Sequence, residues 1–243
     1  VVEAISGCDD SDKGVASALE ELRDGPGVFV AGTDTGVGKT VVTAGLTGWL
    51  RETGTDAQAV KPAQTGAHED DDAGVVAAAC DDPEASVCLR RLGPALAPRV
   101  AAERESVDLS YDEICEDCRT ATDAVEFPVV EGIGGLRVPL AGEMEVVDLV
   151  VDLELPAIVV ARSGLGTLNH TALTVDALRD RGVDVPLVVL NEYEGASVAE
   201  RTNPAELRQM LDVPIATIEP FDAGDPGTIV PAVREALSPT GSD

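Results

Sequence analysis

Apolar residues recur along this chain in two rhythms. Short runs rich in Val, Ile, Leu and Ala, at Val28–Ala31, Asp56–Lys61, Phe127–Glu131, Ala157–Ala161, Pro186–Leu190 and Pro214–Ile218, read as strands. Between them the apolar positions fall every three or four residues, as in Val41–Arg51, where Val42, Leu46, Trp49 and Leu50 share one face. The same spacing predicts helices over Ala73–Cys80, Tyr111–Val125, Glu145–Leu153, Thr171–Arg181 and Ile229–Leu237. Asp81 to Glu105, interrupted by Pro83, Pro94 and Pro98, reads as an irregular passage. Strands that alternate with helices through short connections predict an α/β fold, a parallel sheet with helices on both faces in three α/β/α layers. Residues 27–243 read as one domain. Residues 1–26 read as a leader without an assignable role, carrying a short amphipathic helix through Val15, Ala18, Leu19 and Leu22 that Gly25-Pro26 closes.

The first strand feeds Gly32-Thr33-Asp34-Thr35-Gly36-Val37-Gly38-Lys39-Thr40 and then a helix. That order brings free backbone N–H groups and the positive end of a helix onto phosphate oxygens. Lys39 adds a mobile charge for the outer phosphates, and the Thr40 hydroxyl is suited to Mg²⁺. A strict phosphate loop has Gly five places before Gly38, where this chain has Thr33, with Gly32 one place early. The plain alternative is a glycine-rich turn that merely joins strand to helix; the strand before and the helix after favour the phosphate loop, and with it a three-layer fold like that of the phosphate-loop (P-loop) NTPases.

Other candidates stand at strand ends, the edge where open α/β sheets bind ligands. Lys61 opens Lys61-Pro62-Ala63-Gln64-Thr65-Gly66; a solvated surface charge is the plain reading, a catalytic lysine the sharper one. Glu131 ends the third strand before Gly132-Ile133-Gly134-Gly135, and with Thr40 and Asp72 it makes an oxygen set for a hard cation. The run Asp70-Asp71-Asp72 is also explained by capping of the helix that follows. Gly164-Leu165-Gly166-Thr167-Leu168-Asn169-His170 opens a helix with amides suited to an anion. The fifth and sixth strands end at Asn191-Glu192 and Glu219-Pro220-Phe221, where the Asn191 amide is able to read an adenine edge.

Charge narrows the classes of partner. The 243 residues hold 17 Lys and Arg against 45 Asp and Glu, a net charge of −28 and a pI near 4.1. Such a field opposes nucleic acid and anionic membranes. At 0.01 M salt the Debye length is about 30 Å and the whole surface repels itself, against about 8 Å at 0.15 M; adaptation to high internal salt is the expectation, and a full native circular-dichroism signal with activity in a 10 mM buffer would oppose it. With neither a basic, apolar start nor an 18-residue apolar span, the chain reads as soluble and cytoplasmic. Five cysteines lack a framework spacing; Cys115 and Cys118, three apart in a predicted helix, read as buried apolar side chains rather than a redox pair. His68 and His170 suggest no metal pair.

Taken together and in this order, the phosphate loop Gly32–Thr40, Lys61–Gly66, Val130-Glu131-Gly132 with Gly134-Gly135, Gly164–His170 and Asn191 resemble dethiobiotin synthetase over roughly residues 27–237. The resemblance implies ATP-dependent ring closure on 7,8-diaminopelargonate, which takes up CO₂ as a carbamate that ATP phosphorylates before the second amine closes the ring. It implies that Lys39 and the amides of Gly36, Val37, Gly38, Thr40 and Val41 hold phosphates, with Gly132, Ile133 and Gly134 beside them, and that Thr40, Asp72 and Glu131 hold Mg²⁺. Lys61 would neutralise the carbamate, Thr35 and Thr65 would position the diamine, and Asn191, Glu192, Glu219, Pro220 and Phe221 would line the nucleotide pocket. Gly166, Thr167 and Asn169 would bind the distant substrate carboxylate from a partner subunit, which implies a homodimer. The rival from another class is a regulatory ATPase of the partitioning or septum-positioning kind. Those carry an extra lysine at the position of Asp34, and Asp34 and the net charge both oppose them.

Overall fold

A computed structural model describes residues 10–67 and 71–238. Cys8, His68, Asp70 and the polar tail from Pro239 lie outside the described residues. In chain order the elements are α1 (Asp10–Arg23), β1 (Val28–Gly32), α2 (Lys39–Glu52), β2 (Ala57–Lys61), α3 (Asp72–Ala79), β3 (Ser86–Cys88), α4 (Pro98–Glu105), α5 (Tyr111–Thr122), β4 (Phe127–Glu131), β5 (Pro139–Ala141), β6 (Met144–Glu145), α6 (Val146–Asp152), β7 (Ala157–Arg162), α7 (Thr167–Arg179), β8 (Leu187–Asn191), α8 (Val198–Leu211), β9 (Ile215–Thr217) and α9 (Ile229–Leu237).

Seven strands form one parallel sheet in the order β3-β2-β4-β1-β7-β8-β9, and β5 and β6 make a small antiparallel pair. Because side chains alternate along a strand, both faces of a sheet covered on both sides must be apolar. Val28 and Val30 on β1, Val129 on β4 and Ile158 and Val160 on β7 accordingly join one core with Val42, Leu46 and Val233. Phe29, Ala31, Val130 and Val159 point the other way, into a second core with Ile114, Leu149, Leu178 and Leu207. The leader helix α1 belongs to the first core: Val15, Leu19 and Leu22 are buried in it.

Two stretches depart from the sequence reading. Asp81–Glu105, read as irregular, contains a short 3₁₀ turn at Pro83–Ala85, the edge strand β3 and the helix α4. β3 is three residues long and only half-buried, and α4 buries little beyond Pro98, Ala101 and Ala102, so neither carries a long apolar pattern. The helix α8 has no counterpart in the sequence reading; Pro204 sits inside it, and a proline normally ends a helix because it removes a donor and clashes with the preceding turn. Helix α7 begins a turn earlier than the spacing predicts, at Thr167. Cys115 and Cys118 are buried and free, as the helical spacing predicts, and burial pushes the Cys118 thiol up to about 12.

Helix α9 lies tightly on α2. A Cβ on Gly45 would stand 2.2 Å from Val233 Cβ, and one on Gly48 would stand 2.3 Å from Val230 Cγ2. Glycine inside a helix ordinarily weakens it by about 1 kcal/mol relative to alanine. Here the packing reverses the sign: Gly45→Ala is expected to destabilise the protein by about 1–3 kcal/mol, with Val233→Ala restoring part of the loss. Guanidinium unfolding at fixed KCl measures it, and a stabilised Gly45→Ala would contradict the packing.

Candidate active site

The strand order assembles the site. β1, which ends in the phosphate loop, runs beside β4, which ends in Glu131, and β4 runs beside β2, which ends in Lys61. Lys61 and Glu131 are 5% and 2% exposed, so each charge needs a partner. Lys61 Nζ lies 2.8 Å from Glu131 Oε1 and 2.6 Å from Asp72 Oδ2, and it donates to the Gly132 carbonyl at 3.2 Å. Thr40 Oγ1 stands 3.1 Å from Asp72 Oδ1 and 2.9 Å from Glu131 Oε1. Burial alone would favour neutral Lys61, but Glu131 and Asp72 outweigh it and hold the ammonium above its usual pKa. Complete burial moves the Glu131 carboxyl upward against the pull of Lys61.

The loop itself shows why its glycine stands early. A Cβ on Gly32 would meet Lys39 Cδ at 2.9 Å and Nζ at 3.0 Å, so Gly32 leaves the passage through which Lys39 folds back to donate to the Asp34 carbonyl at 2.9 Å. Burial and the neighbouring Lys61 lower the Lys39 pKa to about 8, against the pull of Glu131 and Asp72. Gly36 and Gly38 take φ of +67° and +101°, backbone that side chains rarely adopt.

The acidic run divides by role. Asp71 caps α3, accepting from Gly74 N at 3.1 Å, and pairs with Arg91 at 2.9 Å, whereas Asp72 turns inward to Thr40 and Lys61. Among the described residues no three His, Cys, Asp or Glu side chains converge as a metal set. Two carboxylates and a hydroxyl beside a phosphate loop nonetheless fit Mg²⁺, which takes one or two carboxylates and fills its remaining positions with phosphate oxygens and water.

Two adjoining clefts open at this edge. One, about 610 Å³, is lined by Thr35, Gly36, Gly38, Lys39, Thr40, Lys61, Thr65, Asp72, Glu131, Ile133 and Gly134. The other, about 660 Å³, is lined by Val37, Thr167, Glu219, Pro220 and Phe221, and both share Val41, Asn191 and Glu192. Asn191 packs onto the phosphate loop, since a Cβ on Gly38 would fall 2.2 Å from its Nδ2. Gly166 and Asn169 are exposed and line neither cleft; Leu165, 97% exposed, precedes Gly166 on the rim of the larger cleft, and Leu173, 61% exposed, follows Asn169 one turn along α7. Sequence reading assigned no role to three side chains here. Gln64 accepts from Asp72 N at 3.3 Å and donates to the Thr65 carbonyl at 2.9 Å. Arg162 borders the larger cleft and reaches the Gly36 carbonyl at 3.4 Å, and Asn203 reaches the loop after β7 from α8. Gln64 lies within a motif already singled out; Arg162 and Asn203 carry no local signal.

The chain is 58% identical over 208 residues to the ATP-dependent dethiobiotin synthetase BioD of Haloferax mediterranei, covering 86% of this chain and 90% of that relative. The chain belongs to the dethiobiotin synthetase family. It is thereby an ATP-dependent ligase. The synthetase of the same name from Anaeromyxobacter sp. (strain Fw109-5) is 46% identical, covering 76% of this chain and 85% of its own; that from Aquifex aeolicus is 33% identical with the same coverage. A family model described as an AAA domain matches residues 26–223. Among solved structures the chain is similar to the cell division ATPase MinD of Pyrococcus furiosus, with a TM-score of 0.55 at 18% identity over 88% of this chain and 95% of the other. The septum site-determining protein MinD of Pyrococcus horikoshii, complexed with Mg-ADP, gives 0.54 at 19% over 88% and 89%. At that identity the likeness is one of fold alone, a parallel sheet with helices on both faces. No helix among the described residues is long and apolar enough to cross a membrane.

Proposed function

We propose that the chain converts 7,8-diaminopelargonate, CO₂ and ATP to dethiobiotin, ADP and phosphate. The observation that carries this reading is Lys61: a buried ammonium, held charged by two carboxylates, next to a phosphate loop and in the lining of a cleft. One amine of the substrate adds to CO₂, loses a proton and becomes a carbamate. A carbamate oxygen then takes the γ-phosphoryl group, and the second amine attacks the carbamate carbon, expels phosphate and closes the ring. Phosphoryl transfer of this kind depends on positioning and charge neutralisation more than on covalent help from the protein.

The roles follow the chemistry of each group. Lys39 and the loop amides cradle the phosphates, and Lys61 neutralises the carbamate and the phosphoryl group in transit. Thr40, Asp72 and Glu131 would hold Mg²⁺, which would supply positive charge against the phosphates. Thr35 and Thr65 orient the diamine, and the larger cleft takes the nucleoside, with Asn191 at the adenine edge and Glu219-Pro220-Phe221 as its wall. Gly166, Thr167 and Asn169 serve the substrate carboxylate of a second copy in a homodimer; the exposed Leu165 and Leu173 beside them supply an apolar surface for that contact. Helix α1 shares the first core with the sheet, so it acts with the rest of the described residues as one cytoplasmic domain, and the charge of −28 fits a salt-rich interior.

Isotope transfer tests the chemistry. With ¹⁸O-labelled bicarbonate, one labelled oxygen is expected to leave in inorganic phosphate for each ring closed, because the carbamate oxygen that attacks phosphorus departs with it. Unlabelled phosphate formed together with dethiobiotin would rule out the phosphorylated carbamate.

A further inference from the structure

Asn203 sits on α8 and is only 4% exposed, yet it lines neither cleft and is not an apolar packing residue. Its Nδ2 donates to the carbonyl oxygens of Ser163 at 2.8 Å and Gly164 at 3.2 Å. Ser163, also buried, donates its hydroxyl to the Glu192 carbonyl at 2.9 Å. Ser163 and Gly164 form the wall of the larger cleft that follows β7, and Glu192 belongs to the wall that follows β8. Glu192 is held at φ +55°, an uncommon backbone for a side-chain-bearing residue, and the next amide, Tyr193 N, is tied to the Ile218 carbonyl at 2.8 Å. The preceding residue, Asn191, packs on Gly38. A single buried amide thus starts a chain of contacts that runs through both walls to the phosphate loop.

We infer that Asn203 is a positioning residue for the nucleotide: through Ser163 and Gly164 it fixes the spacing of the two walls between which the nucleoside lies. The inference rests on the larger cleft being the nucleotide site. Two carbonyl oxygens converge on position 203, so the residue there must present N–H donors; leucine fills the space without donating, and aspartate would set an acceptor against two acceptors. A network of this kind contributes by orienting the groups it joins, beyond the stability of each bond.

The test is calorimetric titration of ADP with Mg²⁺ into wild type, Asn203→Leu, Ser163→Ala, Phe221→Ala and Leu211→Ala at one high KCl concentration. Asn203→Leu is expected to raise Kd on the order of tenfold, as does Ser163→Ala, which breaks the next link and leaves α8 untouched. KM for ATP should rise in step, with kcat at saturating ATP within about twofold of wild type. Leu211→Ala loosens the packing of the same helix without touching the network, so it should lower the melting temperature and leave Kd within about twofold. If Leu211→Ala weakens ADP as much as Asn203→Leu does, Asn203 acts only through helix stability and the inference falls. Phe221→Ala separates the two layers: ADP binding unchanged there removes the nucleotide from this cleft, whereas weakening there with no change in Asn203→Leu and Ser163→Ala overturns the positioning role alone. Should Asn203→Leu fail to fold, Ser163→Ala decides between the outcomes: a raised Kd supports the positioning role and an unchanged one overturns it.

Discussion

Replacing Lys61 by alanine is expected to lower diamine-dependent turnover by about 10²–10³-fold, the scale of losing one preorganised group aimed at developing charge. KM for ATP should move little, because the loop amides and Lys39 remain. The ammonium is the shared partner of Glu131 and Asp72, so its removal leaves two carboxylates facing one another with only the Thr40 hydroxyl between them. Breaking a buried pair in this way costs about 3–5 kcal/mol, and unfolding curves should register a large loss alongside the kinetic one. The vacated carboxylates also become a better site for a divalent cation. Mg²⁺ without nucleotide is therefore expected to raise the melting temperature of Lys61→Ala more than that of wild type. Equal shifts would mean that Lys61 does not neutralise this pair.

Gly38→Ala is expected to weaken nucleotide binding by at least about 100-fold while costing the fold only about 1–3 kcal/mol. Two effects act together at this position. The backbone sits at φ +101°, and the new Cβ would fall 2.2 Å from Asn191 Nδ2, so either the loop or Asn191 must move away from the phosphates. In an Asn191→Ala background the side-chain collision is gone and the backbone strain stays, so Gly38→Ala should weaken binding less, relative to Asn191→Ala alone, than it does in wild type. Fluorescent-nucleotide titration of the single and double variants measures both contributions; wild-type affinity in Gly38→Ala would show that the loop amides are not the phosphate cradle.

What the sequence made legible was local or periodic. The phosphate loop could be read because its chemistry needs contiguous residues, and Lys61 and Glu131 because each closes a β-branched or apolar run at the edge where such sheets bind ligands. The central strands could be read because both of their faces are buried. The edge strand β3, the short hairpin β5–β6 and the helix α8 could not, since three half-buried residues make no run and Pro204 interrupts the helix pattern. Within the acidic run, Asp71 and Asp72 have the same chemistry in sequence and differ only in that one caps α3 and the other faces Thr40. Asn203 left no trace at all, because its bonds cross some forty residues to backbone carbonyls, and no local pattern encodes such a contact.

The most direct test is whether ATP consumption requires the diamine. Phosphate and dethiobiotin would be followed together, with Mg²⁺ and bicarbonate, in about 2–3 M KCl, where screening reaches below about 3 Å. One phosphate released per dethiobiotin formed, little release without 7,8-diaminopelargonate, and loss of both in Lys61→Ala is the result expected of the synthetase. ATP hydrolysis at the same rate with and without the diamine would contradict it and move the weight to a regulatory ATPase.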